Sequence, residues 1–263
     1  MSLTFLKLGG SLITDKSVAE AARPKTLTRI AGEIKRAVDQ NPDVSLVIGH
    51  GSGSFGHTVA RRYNTQLGVR SLEEWRGFAE VAVVAARLNS MVLEVLYSSG
   101  VPIFRAQPSA SAYCNDGIIS EMAVTPIQAA LREGLVPLVN GDVAFDAVRG
   151  GTIISTEEVF TFLAERLSPQ RILLAGDYEG VYDTNLALVP EIRRTSLPGL
   201  GNALRGSAHA DVTGGMFAKV HSMVNLCEKI SGLTVRIFSG DAPGSIERIL
   251  IDPDYAPGTL ISA

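Results

Sequence analysis

The sequence is short of cysteine, of net positive charge and of long apolar runs, and each shortage removes a class of protein. Two cysteines, Cys114 and Cys227, in 263 residues make no disulfide framework and point to a reducing compartment. A net charge of −3 leaves no basic surface of the kind a nucleic acid requires. An anionic small ligand must instead be held by a few placed groups. No apolar run approaches a membrane span, and the opening MSLTFLKLGGSLITDK lacks the basic start and apolar stretch of a signal peptide. The expected setting is the cytoplasm, with no membrane partner. No G-x-x-x-x-G-K-[ST] pattern occurs, which excludes a P-loop. There is no internal repeat and no low-complexity linker.

What is present is an apolar fraction of 46%, enough for a sizeable core, with 19% charged residues. Short apolar runs at 3–8, 44–49, 101–106, 135–141, 171–176 and 233–240 read as strands. Helical stretches separate them, at 27–39, 72–98, 126–133, 159–167 and 215–231. Strands of this kind alternating with helices predict an α/β fold, a mostly parallel central sheet sandwiched by helices. DVAFDAVRGGTII reads as a hairpin turning near Arg149-Gly150-Gly151. A soft boundary near Leu167 divides the chain into lobes 1–167 and 168–263, although one continuous domain fits as well.

In such sheets ligands collect at the carboxyl ends of the strands. Four glycine-rich turns fall there. KLGGSLITDK carries Gly9, Gly10 and Ser11 between Lys7 and Lys16; GHGSGSFGH carries Gly51, Ser52, Gly53 and Gly56 and ends in His57. AGDYEGVYD carries Asp177 and Tyr182; DVTGGMFAKV carries Gly214, Gly215 and Lys219. Backbone N–H groups at helix starts bind anions, and two such turns facing each other suit two phosphate-bearing ligands placed end to end. GSGSFG fits G-x-G-x-x-G, but no acidic residue ends the next strand to take a ribose, so a dinucleotide site is not indicated. Asp142 follows a strand end and is either a turn former or a site residue. His50, His209 and His221 read as structural or exposed.

In order and spacing, KLGGSLIT-K, GHGSGSFGH, LVNGDV, AGDYEGVYD and DVTGGMFAK resemble the amino acid kinase superfamily over nearly the whole chain. GSFGH narrows the likeness to isopentenyl phosphate kinases, with fosfomycin kinases as neighbours. The resemblance implies ATP as phosphoryl donor, a small phosphate as acceptor, Mg²⁺ held by phosphate oxygens and water rather than a protein metal site, and a homodimer. It implies that Gly51, Gly53, Gly56 and His57 receive the acceptor phosphate. Lys7 would bridge both ligands, Lys16 would stabilise the transition state, and Lys219 would hold the β- and γ-phosphates. Gly9, Gly10, Ser11, Ser52, Gly214 and Gly215 would line the nucleotide phosphates, with the loop from Asp177 to Asp183, including Tyr182, flanking the nucleotide. Asp142 and Asp177 would orient the lysines.

The stripe Trp75, Phe78, Val81, Ala82 and Ala85 has the spacing of a core face. The likeness puts a prenyl pocket beside it, with Phe78, Val81 and Ala82 as its candidates. One departure stands out. The family pattern ILSGDD reads IISTEE here, so Thr156 replaces a glycine that helps bind the acceptor. The Thr156 N–H and hydroxyl are then expected to serve instead. The alternatives are a phosphonate acceptor such as fosfomycin, which would need a small polar pocket, and a non-catalytic sensor of the same fold. Retention of all three lysines and His57 speaks against the sensor.

Overall fold

Phe5 and Val47 are buried on one face of their strands; Leu6, Leu8, Leu46 and Ile48 are buried on the other. That alternation, with both faces apolar, makes a sheet covered by helices on both sides. The computed structural model describes residues 2–41, 43–200 and 215–263, apart from the side chains of residues 57 and 58.

The strands are β1 (Ser2–Leu8), β2 (Val44–His50), β3 (Ile103–Arg105), β4 (Tyr113–Asn115), β5 (Ile118–Glu121), β6 (Val136–Asn140), β7 (Asp142–Asp146), β8 (Gly150–Ile154), β9 (Arg171–Gly176), β10 (Glu191–Ile192), β11 (Thr234–Ser239) and β12 (Thr259–Ile261). The helices are α1 (Gly10–Ile13), α2 (Pro24–Gln40), α3 (Gly53–Tyr63), α4 (Leu72–Ser98), α5 (Thr125–Arg132), α6 (Thr156–Leu167), α7 (Gly215–Lys229) and α8 (Ser245–Ile251). An eight-stranded sheet has the order β10-β12-β11-β9-β1-β2-β6-β3. Its strands from β11 to β3 in that order are parallel; β12 runs antiparallel to β11. Helices α2, α4 and α8 cover the Leu6 face; α5, α6 and α7 cover the Phe5 face. β1 pairs with β9, so the sheet runs unbroken across residue 167 and both halves share it.

The six expected strands are all present. A second sheet, β5-β4-β7-β8, was not foreseen, because β4 and β5 are short and mostly exposed and give no apolar run. The hairpin turns two residues earlier than expected, at residues 147–149. The Asp146 carboxylate fixes it there by accepting the N–H groups of Val148 and Arg149, both at 2.8 Å. Helix α6 starts at Thr156, not Val159, because Ser155 and Glu158 form a reciprocal capping box. Cys114 and Cys227 are buried free thiols. Among the described residues no helix is long and apolar enough to cross a membrane.

Candidate active site

The parallel strands β1, β2, β6 and β9 all end on one edge, and a cavity of about 570 Å³ opens there. It is lined by Lys7, Gly9, Gly10, Ser11 and Lys16 from the first turn, and by Gly51, Ser52, Gly53 and Gly56 from the second. Asp142, Val81, Thr156, Asp177, Tyr182, Gly215 and Lys219 complete the expected residues that reach it. Gly214 lies outside the described residues. His57 sits in the backbone of α3, but its side chain lies outside them too.

The glycines of the first two turns serve each other before any ligand. A Cβ on Gly10 would stand 2.4 Å from the Gly53 nitrogen. Gly53 has φ +49, and a Cβ there would meet Thr14 Oγ1 at 2.0 Å. Thr14 clips the two turns together: its hydroxyl donates to the Gly10 carbonyl at 2.7 Å and accepts the Ser54 N–H at 3.0 Å. Only glycine lets the two backbones approach this closely.

Several N–H groups expected to face phosphate are already used. Gly9 donates to the Ala175 carbonyl at 2.7 Å, Gly51 to that of Leu8 at 3.0 Å, and Gly56 to that of Ser52 at 3.4 Å. This leaves the N–H groups of Gly10, Ser11, Ser52 and Gly53 for an anion, at two adjoining turns. The Gly51 and Gly56 N–H groups therefore serve to shape the second turn.

The carboxylate that organises the lysines is Glu157, a residue the sequence reading passed over. Its Oε2 lies 2.5 Å from Lys7 Nζ and its Oε1 3.4 Å from Lys219 Nζ. It is the second residue of α6, and the capping box fixes its backbone. Burial alone would raise the Glu157 carboxyl, but the ammonium groups of Lys7 and Lys219 outweigh it and hold it down at about 2. The roles expected of Asp142 and Asp177 differ accordingly. Asp142 accepts the N–H groups of Ser109 at 3.2 Å and Val143 at 2.9 Å, and so ties the start of β7 to the loop after β3. Asp177 accepts the Ser11 hydroxyl at 2.7 Å, so that hydroxyl bridges two turns instead of pointing at phosphate.

Thr156 is buried, and its hydroxyl donates to the His50 carbonyl at 2.6 Å. It is a strut between α6 and the second turn, not a hydroxyl aimed at a ligand. Its N–H, at the first position of α6, has no intrahelical partner by helix geometry. On the apolar side, Val81 lines the cavity with Ala60, Ala85 and Ile153. Phe78 and Ala82 do not line this cavity. The Phe78 ring packs with Trp75 and Phe145 at centroid distances of 5.3 and 5.4 Å, filling the space between α4 and the β7–β8 hairpin. Ala82 is turned about 100° round the helix from Val81 and packs on the core. Ala85, one turn after Val81, takes the wall position instead.

His50 is fully buried beside the cavity, and its Nδ1 lies 3.1 Å from the Gly51 carbonyl. Burial pushes its imidazole down to about 4, against the opposing hydrogen bond to the Gly51 carbonyl. Between pH 6.5 and 4 the unfolded chain therefore binds a proton that the folded chain does not, and stability falls as pH falls. From pH 7 to pH 5 this group is expected to remove about 2 kcal/mol of unfolding free energy. Urea melts of the protein and of His50→Asn at both pH values check this. The variant should lose most of the slope; an unchanged slope would place it elsewhere.

A family model described as the amino acid kinase family matches residues 2–239. The isopentenyl phosphate kinase of Methanothermobacter thermautotrophicus is 38% identical, with 99% of each chain covered. That of Methanocaldococcus jannaschii is 34% identical, with 95% of each covered. A crystal structure of an isopentenyl phosphate kinase superposes with a TM-score of 0.83 at 33% identity, covering 99% of this chain and 100% of the other. Similarity that runs from end to end, over a site with these turns and lysines, means that the chain belongs to the amino acid kinase family, in its isopentenyl phosphate kinase branch.

Proposed function

We propose that the protein transfers the γ-phosphoryl group of ATP to the phosphate of isopentenyl phosphate, giving isopentenyl diphosphate and ADP. An acceptor phosphate oxygen forms the new bond to the γ-phosphorus as the bond from that phosphorus to the β,γ-bridging oxygen breaks, and the electron pair leaves on ADP. The acceptor is already ionised near neutral pH, so the protein has no proton to remove; it must position two anions and neutralise their charge. The observation that carries this reading is one cavity with two adjoining anion-binding turns, three lysines and an apolar wall. Lys7, Lys16 and Lys219 line that cavity; Lys7 is proposed to bridge the two ligands, Lys219 to hold the nucleotide phosphates and Lys16 to act from the rim. His57, from the same helix as the second turn, is proposed to donate to the acceptor phosphate.

Mg²⁺ supplies further neutralisation when bound. Among the described residues no three His, Cys, Asp or Glu groups converge, so the ion is proposed to ride on ATP oxygens and water. The family likeness also leads us to propose a cytoplasmic homodimer. The wall of Ala60, Val81, Ala85 and Ile153 suits a prenyl tail better than a small polar phosphonate such as fosfomycin.

A panel of phosphate and phosphonate acceptors, assayed with MgATP for ADP release, tests the acceptor. Isopentenyl phosphate should have the highest kcat/KM; preference for fosfomycin would overturn the reading. The wall has its own test. Ala85→Phe fills the cavity and should lower kcat/KM for isopentenyl phosphate by about tenfold or more, with KM for ATP unchanged. Val81→Ala enlarges it and should shift preference toward longer prenyl phosphates. If both variants keep the wild-type preference, the tail binds elsewhere.

A further inference from the structure

Lys219 is held from a second side, by a residue in the loop after β9. Its Nζ donates to the hydroxyl of Tyr178 at 3.2 Å and stands 5.9 Å from the centroid of that ring. Glu157 reaches the same ammonium at 3.4 Å. Tyr178 and Lys219 both line the cavity. The tyrosine ring is fixed by packing. It lies against the apolar cluster of the α6–α7 face, and it passes over Gly176, where a Cβ would come within 3.0 Å of its Cζ. The hydroxyl is thus placed by a ring with two rotatable bonds, whereas the lysine brings a flexible four-carbon stem.

Glu157 also pairs with Lys7, at 2.5 Å, so a carboxylate shared by two lysines cannot by itself settle where Lys219 stands. When nucleotide phosphates arrive, they compete with Glu157 for both ammonium groups. A neutral hydroxyl does not compete as an anion does. It accepts from the ammonium through an oxygen lone pair and leaves the ammonium's charge for the phosphates.

We propose that Tyr178 is a positioning residue for Lys219, its hydroxyl keeping the ammonium at the phosphate end of the cavity as the nucleotide replaces Glu157. The proposal rests on the reading of Lys219 as a ligand of the ATP phosphates.

Tyr178→Phe removes the hydroxyl and keeps the ring. MgATP affinity is measured by calorimetric titration without acceptor, then KM and kcat with isopentenyl phosphate. The variant should show Kd and KM for ATP raised about three- to tenfold, with the acceptor KM and the melting temperature unchanged. Added to Lys219→Ala, the same substitution should cost no further ATP affinity, because its partner is gone. Wild-type ATP affinity in Tyr178→Phe overturns the proposal. So does a full-sized loss in the Lys219→Ala background, which would mean that the hydroxyl acts through something else. The titration needs no acceptor. A protein that binds ATP but ignores isopentenyl phosphate would sink the proposed acceptor and still answer the question about Tyr178.

Discussion

Glu157→Gln is expected to lower kcat by roughly two to three powers of ten, without raising KM for ATP. The carboxylate stands between two ammonium groups in a largely buried position, 2.5 Å from Lys7 and 3.4 Å from Lys219. Removing one partner of a buried ion pair costs about 3–5 kcal/mol, because the remaining charge is left uncompensated. A neutral amide removes the charged anchor that Glu157 gives Lys7, so its ammonium is less well placed for the transferring group, while the Tyr178 hydroxyl still reaches Lys219. The amide also no longer competes with phosphate, so ground-state ATP binding holds or tightens while turnover falls. Glu157→Asp keeps the charge on a shorter arm and should retain more activity than the glutamine variant. Steady-state kinetics of the two variants decide it. Wild-type kcat in Glu157→Gln would mean that the lysines need no carboxylate to hold them.

Lys16→Ala is expected to lower kcat about a hundredfold, with both KM values within a fewfold of wild type. Lys16 lines the cavity yet is exposed, at the far end of the turn that begins with Gly9. A cation placed at the rim meets the transferring group as its charge spreads, and removing one such group commonly costs two to three powers of ten. Equal loss in kcat and kcat/KM is the signature of an interaction made in the transition state alone. A change confined to KM for ATP would reassign Lys16 to ground-state binding.

The turns were legible because strand ends followed by glycines have a local signature, and Lys7, Lys16 and Lys219 flank them in sequence. Glu157 was not. It sits in a helix start that periodicity placed three residues too late, and the signal that would have found it was the Ser155–Glu158 capping pattern. With α6 starting at Thr156, Glu157 falls at the carboxyl edge of the sheet, beside the end of β1. Asp142 and Asp177 were assigned to the lysines because they too stand at strand ends. Their actual partners, Ser109 N–H and the Ser11 hydroxyl, come from loops whose approach no linear pattern reveals. Phe78 shares a helical stripe with Val81, so spacing alone could not separate the wall of a cavity from the core behind it. What separates them is the β7–β8 hairpin, which brings Phe145 against the Phe78 ring. The glycines were read as room for a phosphate. Gly10 and Gly53 are in fact room for each other, a contact between turns 43 residues apart in sequence.

The most direct test follows the phosphorus. Isopentenyl phosphate, ATP and Mg²⁺ are incubated with the protein and with His57→Ala, and the mixture is followed by ³¹P NMR. The account predicts that the single phosphomonoester resonance of isopentenyl phosphate is replaced by two coupled diphosphate resonances as ADP appears in equal amount, and that His57→Ala slows this by about one to two powers of ten. An isopentenyl phosphate signal that persists while ATP is consumed, or conversion by His57→Ala at the wild-type rate, would contradict it.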